Sequence, residues 1–463
     1  MAHDKPDRTM PLDALPFSSF QFWSVMLASS VVVLDGLDNQ MLGIAAPSLI
    51  EEWGIARESL GVVFALGFVG MIFGNLISGW LGDRFGRRTA LVFGIIVFGL
   101  ATLLTGFATN IVQVAMLRTM AGVGLGGVPG AAAALISELT PARFRSVAVT
   151  FSAVCISIGG VLGGMTATTI LPHLDWPWLF YISGTVPLVA AIAVATLLPE
   201  SPSFLATRPG RKDELRKVLA RMRYPGSEVE FREAWRALTN ERYGKREEDV
   251  PTSALLAPAL RRDTLALCMV WFSGMFMIYL VFNWVPTLLF SSGFALAVTS
   301  SGLTSFNIGG FVGAILVSLA MVRFGSRHVL IPIALTGAAV CVALALLSTD
   351  GAQNAGKMLL ALCALGLSAS AVQSAVFAVG AHAFPAVIRS RGMGLVGAAG
   401  RVGAIASALS GAMLIGLGNP GFFGTLATLM LVNAIGLAIV RGHVPPLRRQ
   451  KAGAAHVEIQ ATP

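Results

Sequence analysis

The sequence predicts an all-α polytopic membrane protein with twelve transmembrane helices, arranged as two six-helix parallel repeats. Three observations lead to this fold class. The 463 residues are 55% hydrophobic and only 12% charged, whereas ordinary soluble domains carry about 25% charged residues. Apolar runs of about 20 residues, the length that a helix needs to cross a bilayer, recur along the whole chain. Short matches between the two halves recur at a nearly constant offset.

The apolar runs define the predicted spans and the domain organisation. The first six spans lie at 20–46, 59–82, 89–108, 111–138, 146–171 and 176–198. The last six lie at 264–290, 298–322, 328–348, 356–383, 390–416 and 420–441. The predicted domains are an N-terminal tail (1–19), an N-terminal half (20–198), a linker (199–262), a C-terminal half (263–441) and a C-terminal tail (442–463). No small-residue cleavage site follows a short apolar run, so we expect the first span to act as its own signal.

The basic residues predict the orientation. All but four of the 33 Lys and Arg residues fall in the two tails and in alternate loops. Of the exceptions, Arg57 and Lys357 lie in or at the edge of the other loops, and Arg118 and Arg401 lie deep inside spans. By the positive-inside rule, both termini and the linker are cytoplasmic. This topology accounts for the net charge of +9, so we expect the lipid bilayer, and no nucleic acid, to be the partner of the basic loops.

Internal matches relate the two halves. "GWLGDRFGRRTAL" at 79–91 aligns with "SLAMVRFGSRHVL" at 318–330, an offset of 239. "TPARFRS" at 140–146 aligns with "FPAVIRS" at 384–390, an offset of 244. An offset of six spans makes the halves parallel repeats. In the linker, "RKDELRKVLARMR" and "FREAWRALTNERYG" have helical charge spacing, and we expect them at the membrane surface.

The sequence gives no sign of a metal, disulfide or cofactor site. The four cysteines lie singly within apolar runs, and the six histidines are scattered. We therefore expect no cofactor and no metal, and packing roles for the cysteines. The glycine-rich run "RTMAGVGLGGVPG" in span four is predicted to allow close helix packing, because no β-strand precedes it as in a dinucleotide-binding loop.

A charged motif, "GDRFGRR" at 82–88, closes span two. Its glycines permit a tight turn, and Asp83 can pair with an arginine or with a helix N-terminus. The second copy has Val322 opposite Asp83. We expect an asymmetric ion latch between the halves, and the alternative is a topological anchor made only of charges. The expected gate residues are Asp83, Arg84, Gly86, Arg87, Arg88, Glu138, Arg145 and Arg389.

Two carboxylates in span one are the strongest functional signal. Asp35 comes twelve residues after Trp23, a residue type found at membrane interfaces, and is therefore predicted near the middle of the bilayer. Asp35 and Asp38 are three apart and hence neighbours on the helix. Two acids so close in a low-dielectric medium do not both ionise easily, so the pair is a candidate proton site. The alternative is that one acid only caps a helix or pairs with an arginine. Gly274 and Met277 replace them in the second half.

The remaining candidates are cationic, polar and aromatic residues inside spans. Arg401 and Arg118 each need a partner at membrane depth and can bind a substrate carboxylate through two N–H groups. The alternative for each is an ion pair with Asp35, Asp38 or Glu138. A second set is expected to line a site for a phenolic acid, with packing as the alternative for each member: Gln40, Tyr279, Asn283, Trp284, Gln373 and Ser374.

Several stretches resemble known families. The pattern G-x-x-x-D-R-x-G-R-R at 79–88, with twelve spans, resembles the major facilitator superfamily. "LDGLDNQMLGIAAP" (34–47), "NWVPTLL" (283–289) and "FPAVIRSRGMGLVGAAGRVGAI" (384–405) resemble the aromatic acid:proton symporter family, which carries hydroxylated benzoates and phenylpropionates. "PESPSFL" (199–205) is shared with sugar porters and discriminates less.

The resemblance covers essentially residues 20–441. It implies a major facilitator fold and a location in the bacterial cytoplasmic (inner) membrane. It also implies that Asp35 and Asp38 are essential acids and that Arg118 and Arg401 are functional arginines. The chain departs from the family at two places. The second copy of the "GDRFGRR" motif has Val322 where the first copy has Asp83, and Arg391 stands where such carriers often have a small residue.

These features together predict a secondary active transporter, not an enzyme, which imports an aromatic carboxylate by proton symport through alternating access, as a monomer. One alternative is a carrier of another solute, such as a sugar, a dicarboxylate or a drug. Alternatives of a different class are a non-transporting sensor and an intramembrane aspartyl protease. A protease needs carboxylates from two helices, whereas both acids here stand on one.

Overall fold

The computed structural model describes residues 17–222, 235, 238, 252–347, 354–385 and 388–446. The first half contains α1 (Ser19–Trp53), α2 (Arg57–Phe85), α3 (Arg87–Thr105), α4 (Ile111–Leu139), α5 (Ala142–Ile170) and α6 (Pro177–Leu197). The linker contains α7 (Pro202–Ala206), a 3₁₀ turn (Pro209–Arg211), α8 (Lys212–Arg221) and a second 3₁₀ turn (Thr252–Leu256). The second half contains α9 (Arg261–Ser291), α10 (Leu296–Phe324), α11 (Ser326–Leu346), α12 (Ala355–Ala383), α13 (Arg389–Gly416) and α14 (Gly418–Ile439).

Among the residues that the structure describes, twelve helices are long and apolar enough to cross a membrane. This confirms the predicted fold class. The helix that contains the first predicted span is longer than the span itself, because α1 continues through Pro47 to Trp53. A spanning helix tolerates an internal proline when its neighbours satisfy the freed carbonyl, and α1 ends only where Gly54 adopts a φ of +58°. In the linker, α8 confirms the first predicted helix, and all of the second except Trp235 and Leu238 lies outside the described residues.

Helices within the first half pack backbone against backbone. A β-carbon on Gly74 of α2 would collide with the Val123 carbonyl of α4, and one on Gly126 would collide with the Met71 carbonyl of α2. Gly36 of α1 meets the Ile156 carbonyl of α5 in the same way. These contacts agree with the close packing predicted for the glycine-rich run of span four, since small residues let membrane helices approach closely.

The two halves meet on one side of the membrane. An even number of spans places residues 17 and 446 on the same side, called here the termini side, and the opposite side is called the far side. Gly43 lies against the Phe282 carbonyl, and Gly164 lies against the Thr304 side chain. Each of these residues belongs to the far half of its helix. The contacts between the halves described here extend towards the termini side no further than Met71 and Arg401.

Candidate functional site

A buried ion pair joins α1 to α4 inside the first half. The Arg118 Nη1 atom lies 3.2 Å from Asp38 Oδ2, and the two side chains are 7% and 0% exposed. The Thr102 hydroxyl of α3 donates a 2.6 Å hydrogen bond to Asp38 Oδ1 and accepts one from Arg118 Nη2 at 3.0 Å. The guanidinium also lies 5.1 Å from the centroid of the Phe180 ring. Of the alternatives for Arg118, the ion pair is therefore the arrangement that this structure contains, and contact with substrate stays a prediction.

The second acid of α1 has a different environment. Asp35 is buried, and its Oδ1 atom accepts a 2.9 Å hydrogen bond from the amide of Asn39. Among the described residues, no Lys or Arg nitrogen lies within ion-pair distance of this carboxylate. Its charge interacts at longer range with those of Asp38 and Arg401. The two acids are thus neighbours, as the spacing predicts, but only one of them is neutralised by a direct partner.

Arg401 of α13 presents a cation between the halves. Its side chain is half-buried, and Nη1 lies 3.2 Å from the Met71 sulfur of α2. A thioether is a weak acceptor, and a guanidinium has five N–H groups to satisfy. No carboxylate of the described residues lies within 4.0 Å of it. This arginine therefore has capacity to bind an anion.

An aromatic pair lies beside this cation. Tyr279 of α9 packs edge-on against Phe68 of α2, with ring centroids 4.5 Å apart. The charges of Arg401 and Asp35 both act on the Tyr279 hydroxyl. Helices α1, α2, α9 and α13 thus bring together an acid, a cation and two aromatic rings near the midpoints of these helices, where the contacts of the far side end.

Two predicted lining residues lie in the far-side contact between the halves. The Gln40 amide donates to Asn307 Oδ1 at 3.2 Å, and the Asn307 amide donates to Gln40 Oε1 at 3.0 Å. Trp284 is completely buried, with its ring 5.5 Å from that of Phe64 and directly above Gly411. In this structure, Gln40 and Trp284 therefore hold the halves together. Their predicted contact with substrate stays a prediction.

The other polar candidates carry unused hydrogen-bonding atoms. Asn283 is buried and its amide nitrogen has no partner among the described residues. Gln373 of α12 is 6% exposed, and neither its Oε1 nor its Nε2 atom has a partner there. A buried amide without partners costs about 1–3 kcal/mol, so a bound ligand is a natural recipient of these bonds. The exposed Ser374 donates its hydroxyl proton to the Ala371 carbonyl at 3.1 Å.

The gate motif forms a network at the termini side. Arg87 contacts Asp83 at 3.0 Å and Glu138 at 3.9 Å, and Glu138 accepts a short hydrogen bond from the Ser201 hydroxyl. Each of these contacts joins α2, α3 and α4 to one another or to the start of the linker. The predicted latch between the two halves therefore stays a prediction.

Glu200 contacts the predicted gate motif, and the sequence alone did not single it out. Its carboxylate accepts hydrogen bonds from the backbone N–H groups of Arg88 at 3.0 Å and Ser201 at 2.9 Å. A side chain at Gly86, where φ is +108°, would collide with that carboxylate. The sequence feature that could have indicated it is the acid inside "PESPSFL" (199–205). An acid near the first turn of a helix is stabilising, so Glu200 fixes the start of α3.

Three further predicted gate residues have separate contacts. The exposed Arg84 guanidinium lies 5.4 Å from the Trp80 ring centroid and 5.6 Å from that of Phe85. Arg145 lies half-buried in the first turn of α5. Arg389 begins α13 and donates to the Phe384 carbonyl at 3.4 Å.

The second half repeats this docking with different chemistry. The Ser326 N–H, which follows Gly325 at the start of α11, donates to the Val444 carbonyl at 3.0 Å. His443 Nδ1 lies 2.9 Å from the Ser326 hydroxyl, and Nε2 lies 2.9 Å from the Leu437 carbonyl. A carbonyl only accepts, so Nε2 carries the proton and Nδ1 accepts from the hydroxyl. Burial lowers the pKa of the His443 imidazole, and Arg327 adds to this effect.

A family model describes almost the whole chain. The model described as Major Facilitator Superfamily matches residues 28–355 and 293–461. The chain belongs to the Major Facilitator Superfamily. This confirms the resemblance drawn from the gate motif and the twelve spans.

Curated relatives of this facilitator protein are named as transporters of aromatic acids. It is 34% identical to the 4-hydroxybenzoate transporter PcaK of Pseudomonas aeruginosa, over 93% of this chain and 94% of that one. It is 32% identical to a gallate transporter of Pseudomonas putida, over 93% and 94% of the two chains. It is 28% identical to the 3-(3-hydroxy-phenyl)propionate transporter of Escherichia coli, over 91% and 94%. The likeness to the aromatic acid carriers is thus confirmed along nearly the full length.

Solved structures support the facilitator fold. The inward open conformation of the xylose transporter XylE from E. coli superposes with a TM-score of 0.73 at 18% identity, covering 93% of this chain and 99% of that one. A crystal structure of a D-xylose–proton symporter gives 0.71 at 16% identity, covering 93% and 99%. At this identity, the likeness concerns the fold.

Proposed function

We propose that this protein is a secondary active transporter that imports an aromatic carboxylate, of the hydroxybenzoate or phenylpropionate type, together with protons by alternating access. Relatives named for 4-hydroxybenzoate, gallate and hydroxyphenylpropionate support the substrate class. The observation that carries the proposal is Arg401, a half-buried cation between the halves that has no carboxylate partner among the described residues and lies near the buried Asp35.

The protein acts as a monomer in the bacterial inner membrane, with both termini in the cytoplasm. The concentration of basic residues in the tails and in alternate loops supports this orientation. The far side is then the periplasmic side. If the far side is periplasmic, contact of the halves there is what we expect of the state that releases substrate into the cytoplasm.

Asp35 couples the proton to the anion. When Asp35 is ionised, its negative charge interacts with Arg401 and weakens the binding of a substrate carboxylate to this arginine. Protonation of Asp35 from the periplasm removes that charge, and the guanidinium then binds the carboxylate through two N–H groups. After the halves rock to the state described here, loss of the proton to the cytoplasm restores the competing charge and expels the substrate. The attraction between opposite charges supports this order of steps.

The rest of the site recognises the ring and sets the stoichiometry. Phe68 and Tyr279 lie at the edge of the site, where an aromatic substrate can pack edge-to-face against them. Asp38 and Arg118 cancel one another's charge within the first half. One proton per monoanion makes transport electroneutral. A second proton on Asp38 would add about 2.3 kcal/mol of driving force per 100 mV.

Uptake into proteoliposomes tests the proposal. Radiolabelled 4-hydroxybenzoate uptake is measured under an inward proton gradient, with and without an uncoupler, for the wild type, Asp35→Asn and the exposed-acid control Asp175→Asn. We expect the uncoupler to abolish accumulation by the wild type and the control. Asp35→Asn should retain exchange of labelled for unlabelled substrate but lose accumulation. Accumulation by Asp35→Asn that equals the wild type would refute the coupling, and preferential competition by sugars or cations would refute the substrate class.

A further inference from the structure

A groove on the termini side lies apart from the site between the halves. Its volume is about 390 Å³, and it joins the end of α2 to α7 and the 3₁₀ turn of the linker. The residues that line it are Arg84, Phe85, Phe204, Arg208, Gly210 and Arg211. Three guanidinium groups therefore share one small cavity with two phenylalanine rings.

The charges in this groove are only partly compensated. Arg211 makes two hydrogen bonds of 2.8 Å to the carboxylate of Glu214. Arg208 donates to the Arg84 carbonyl at 2.8 Å, and its guanidinium lies 5.4 Å from the Phe204 ring centroid. The Arg84 guanidinium lies over aromatic rings alone. Among the described residues, neither Arg84 nor Arg208 has a carboxylate within 4.0 Å. Within the described part of the chain, the groove thus presents two guanidinium groups that have no carboxylate partner.

An apolar surface continues from the groove into the membrane. Trp80 and Phe85, which flank Arg84 on α2, are 55% and 47% exposed. Further along the same helix towards the far side, Phe73 and Leu76 are also exposed. Tryptophan is typical of the level of the lipid headgroups. The arginines therefore lie at headgroup depth, directly beside a helix face of a kind that lipid chains cover.

We propose that this groove binds the phosphate of an anionic phospholipid, with an acyl chain lying along the exposed face of α2. The planar guanidinium matches the geometry of a phosphate and pairs with two of its oxygens. Basic pockets beside spanning helices are suited to lipid headgroups in this way. The exposed apolar face of α2 favours a lipid over a soluble anion, because a lipid has an acyl chain that can lie along this face and a free phosphate has none.

A bound phosphate would add a connection between two segments that already meet through polar contacts. Arg84 belongs to the gate motif at the end of α2, and Arg208 belongs to the linker. These segments also meet where Glu200 accepts from the Arg88 N–H. A headgroup that bridges Arg84 and Arg208 holds the linker against α2. The lipid is therefore a structural ligand of the gate, independent of the substrate and proton chemistry proposed above.

Native mass spectrometry of the full chain in detergent tests the site with short-chain phosphatidylglycerol, phosphatidylcholine and inorganic phosphate as probes. We expect saturable binding of one phosphatidylglycerol. Arg84→Gln and Arg208→Gln should each weaken it about fivefold, since one basic residue near the headgroups contributes about that factor. The matched control is Arg323→Gln, because Arg323 occupies the repeat position of Arg84 and contacts Phe324 at the same 5.6 Å, but lies outside the groove.

Three outcomes overturn the proposal. Equal affinity for phosphatidylcholine and phosphatidylglycerol shows that the charge is not recognised. Displacement of the lipid by an equal concentration of inorganic phosphate shows that the site takes a free anion and not a lipid. A loss of binding in Arg323→Gln as large as that in the groove variants shows that only the overall charge matters. Circular dichroism of each variant excludes misfolding as the cause of lost binding.

Discussion

Asp38 and Arg118 lie 3.2 Å apart in a pair that solvent barely reaches. The hydroxyl of Thr102 bridges the two partners. The charge of Arg118 is therefore already balanced inside the first half. The site contains two further opposite charges, Asp35 on α1 and Arg401 on α13. They belong to different halves, and their charges interact at longer range. This division gives each charged residue a separate and testable role.

Removing one member of the buried pair should cost more than removing both. We expect Asp38→Asn and Arg118→Gln to lower the free energy of unfolding by about 3 kcal/mol or more, because each leaves a buried charge without its partner. The double variant should recover much of that loss. Thermal unfolding in detergent measures the three values. Single variants as stable as the wild type would show that the pair is open to water.

Arg401 should control substrate affinity rather than stability. Charge-assisted hydrogen bonds contribute about 1.5–3 kcal/mol each, so Arg401→Gln should raise the KM for 4-hydroxybenzoate by one to two orders of magnitude. Arg401→Lys should recover part of the affinity, because it keeps the charge but not the planar geometry. Lys357→Gln, which removes an exposed cation at the start of α12, is the control and should leave KM unchanged. An unchanged KM in Arg401→Gln would place the carboxylate elsewhere.

The far-side contact should open when Gly43 gains a side chain. A β-carbon there collides with the Phe282 carbonyl of the other half, so Gly43→Val should favour the state in which the far side is open. A cysteine introduced at Thr304, in a background without native cysteines, reports this by its reaction with an impermeant maleimide. We expect faster labelling in Gly43→Val and no change in Gly79→Val, since Gly79 has open space around it. Equal labelling of both variants would contradict the described contact.

His443 should make stability depend on pH in one direction. Burial lowers its pKa in the folded protein, so the unfolded chain binds the proton more readily. The free energy of unfolding should therefore fall as the pH drops below about 6.5, the ordinary histidine value, and be unaffected by this group above it. His443→Gln should flatten this part of the stability curve, measured by melting temperature between pH 5 and 8. The exposed His382→Gln serves as control, and a curve of unchanged slope in His443→Gln would refute this origin.

The sequence predicts which residues carry the chemistry better than it predicts their partners. Charged groups are costly inside a bilayer, so Asp35, Asp38, Arg118 and Arg401 stand out from their spans without any structure. Their pairing depends on helix rotation, because three residues along a helix differ by about 60° in direction. Asp38 therefore contacts α3 and α4, whereas the field of Asp35 extends to the second half.

Other features gave weaker signals. A threonine costs little free energy in a membrane helix, because its hydroxyl can hydrogen-bond within its own helix. The role of Thr102 beside Asp38 was therefore not apparent from the sequence. Trp284 is of a residue type that often lines binding sites, yet it is completely buried between the halves. Burial of an aromatic residue is decided by tertiary packing, which a single sequence does not specify.

The backbone contacts of Gly74, Gly126 and Gly36 have a mechanical consequence. Where two main chains touch, no side chain can change rotamer to absorb a displacement, so these helices of the first half move together as a nearly rigid body. The balance between the open and closed states then depends on the contacts between the two halves. There, each of the two hydrogen bonds between Gln40 and Asn307 contributes about 0.5–1.5 kcal/mol. Where the balance rests on contacts of this size, the binding of one small ligand is enough to shift it.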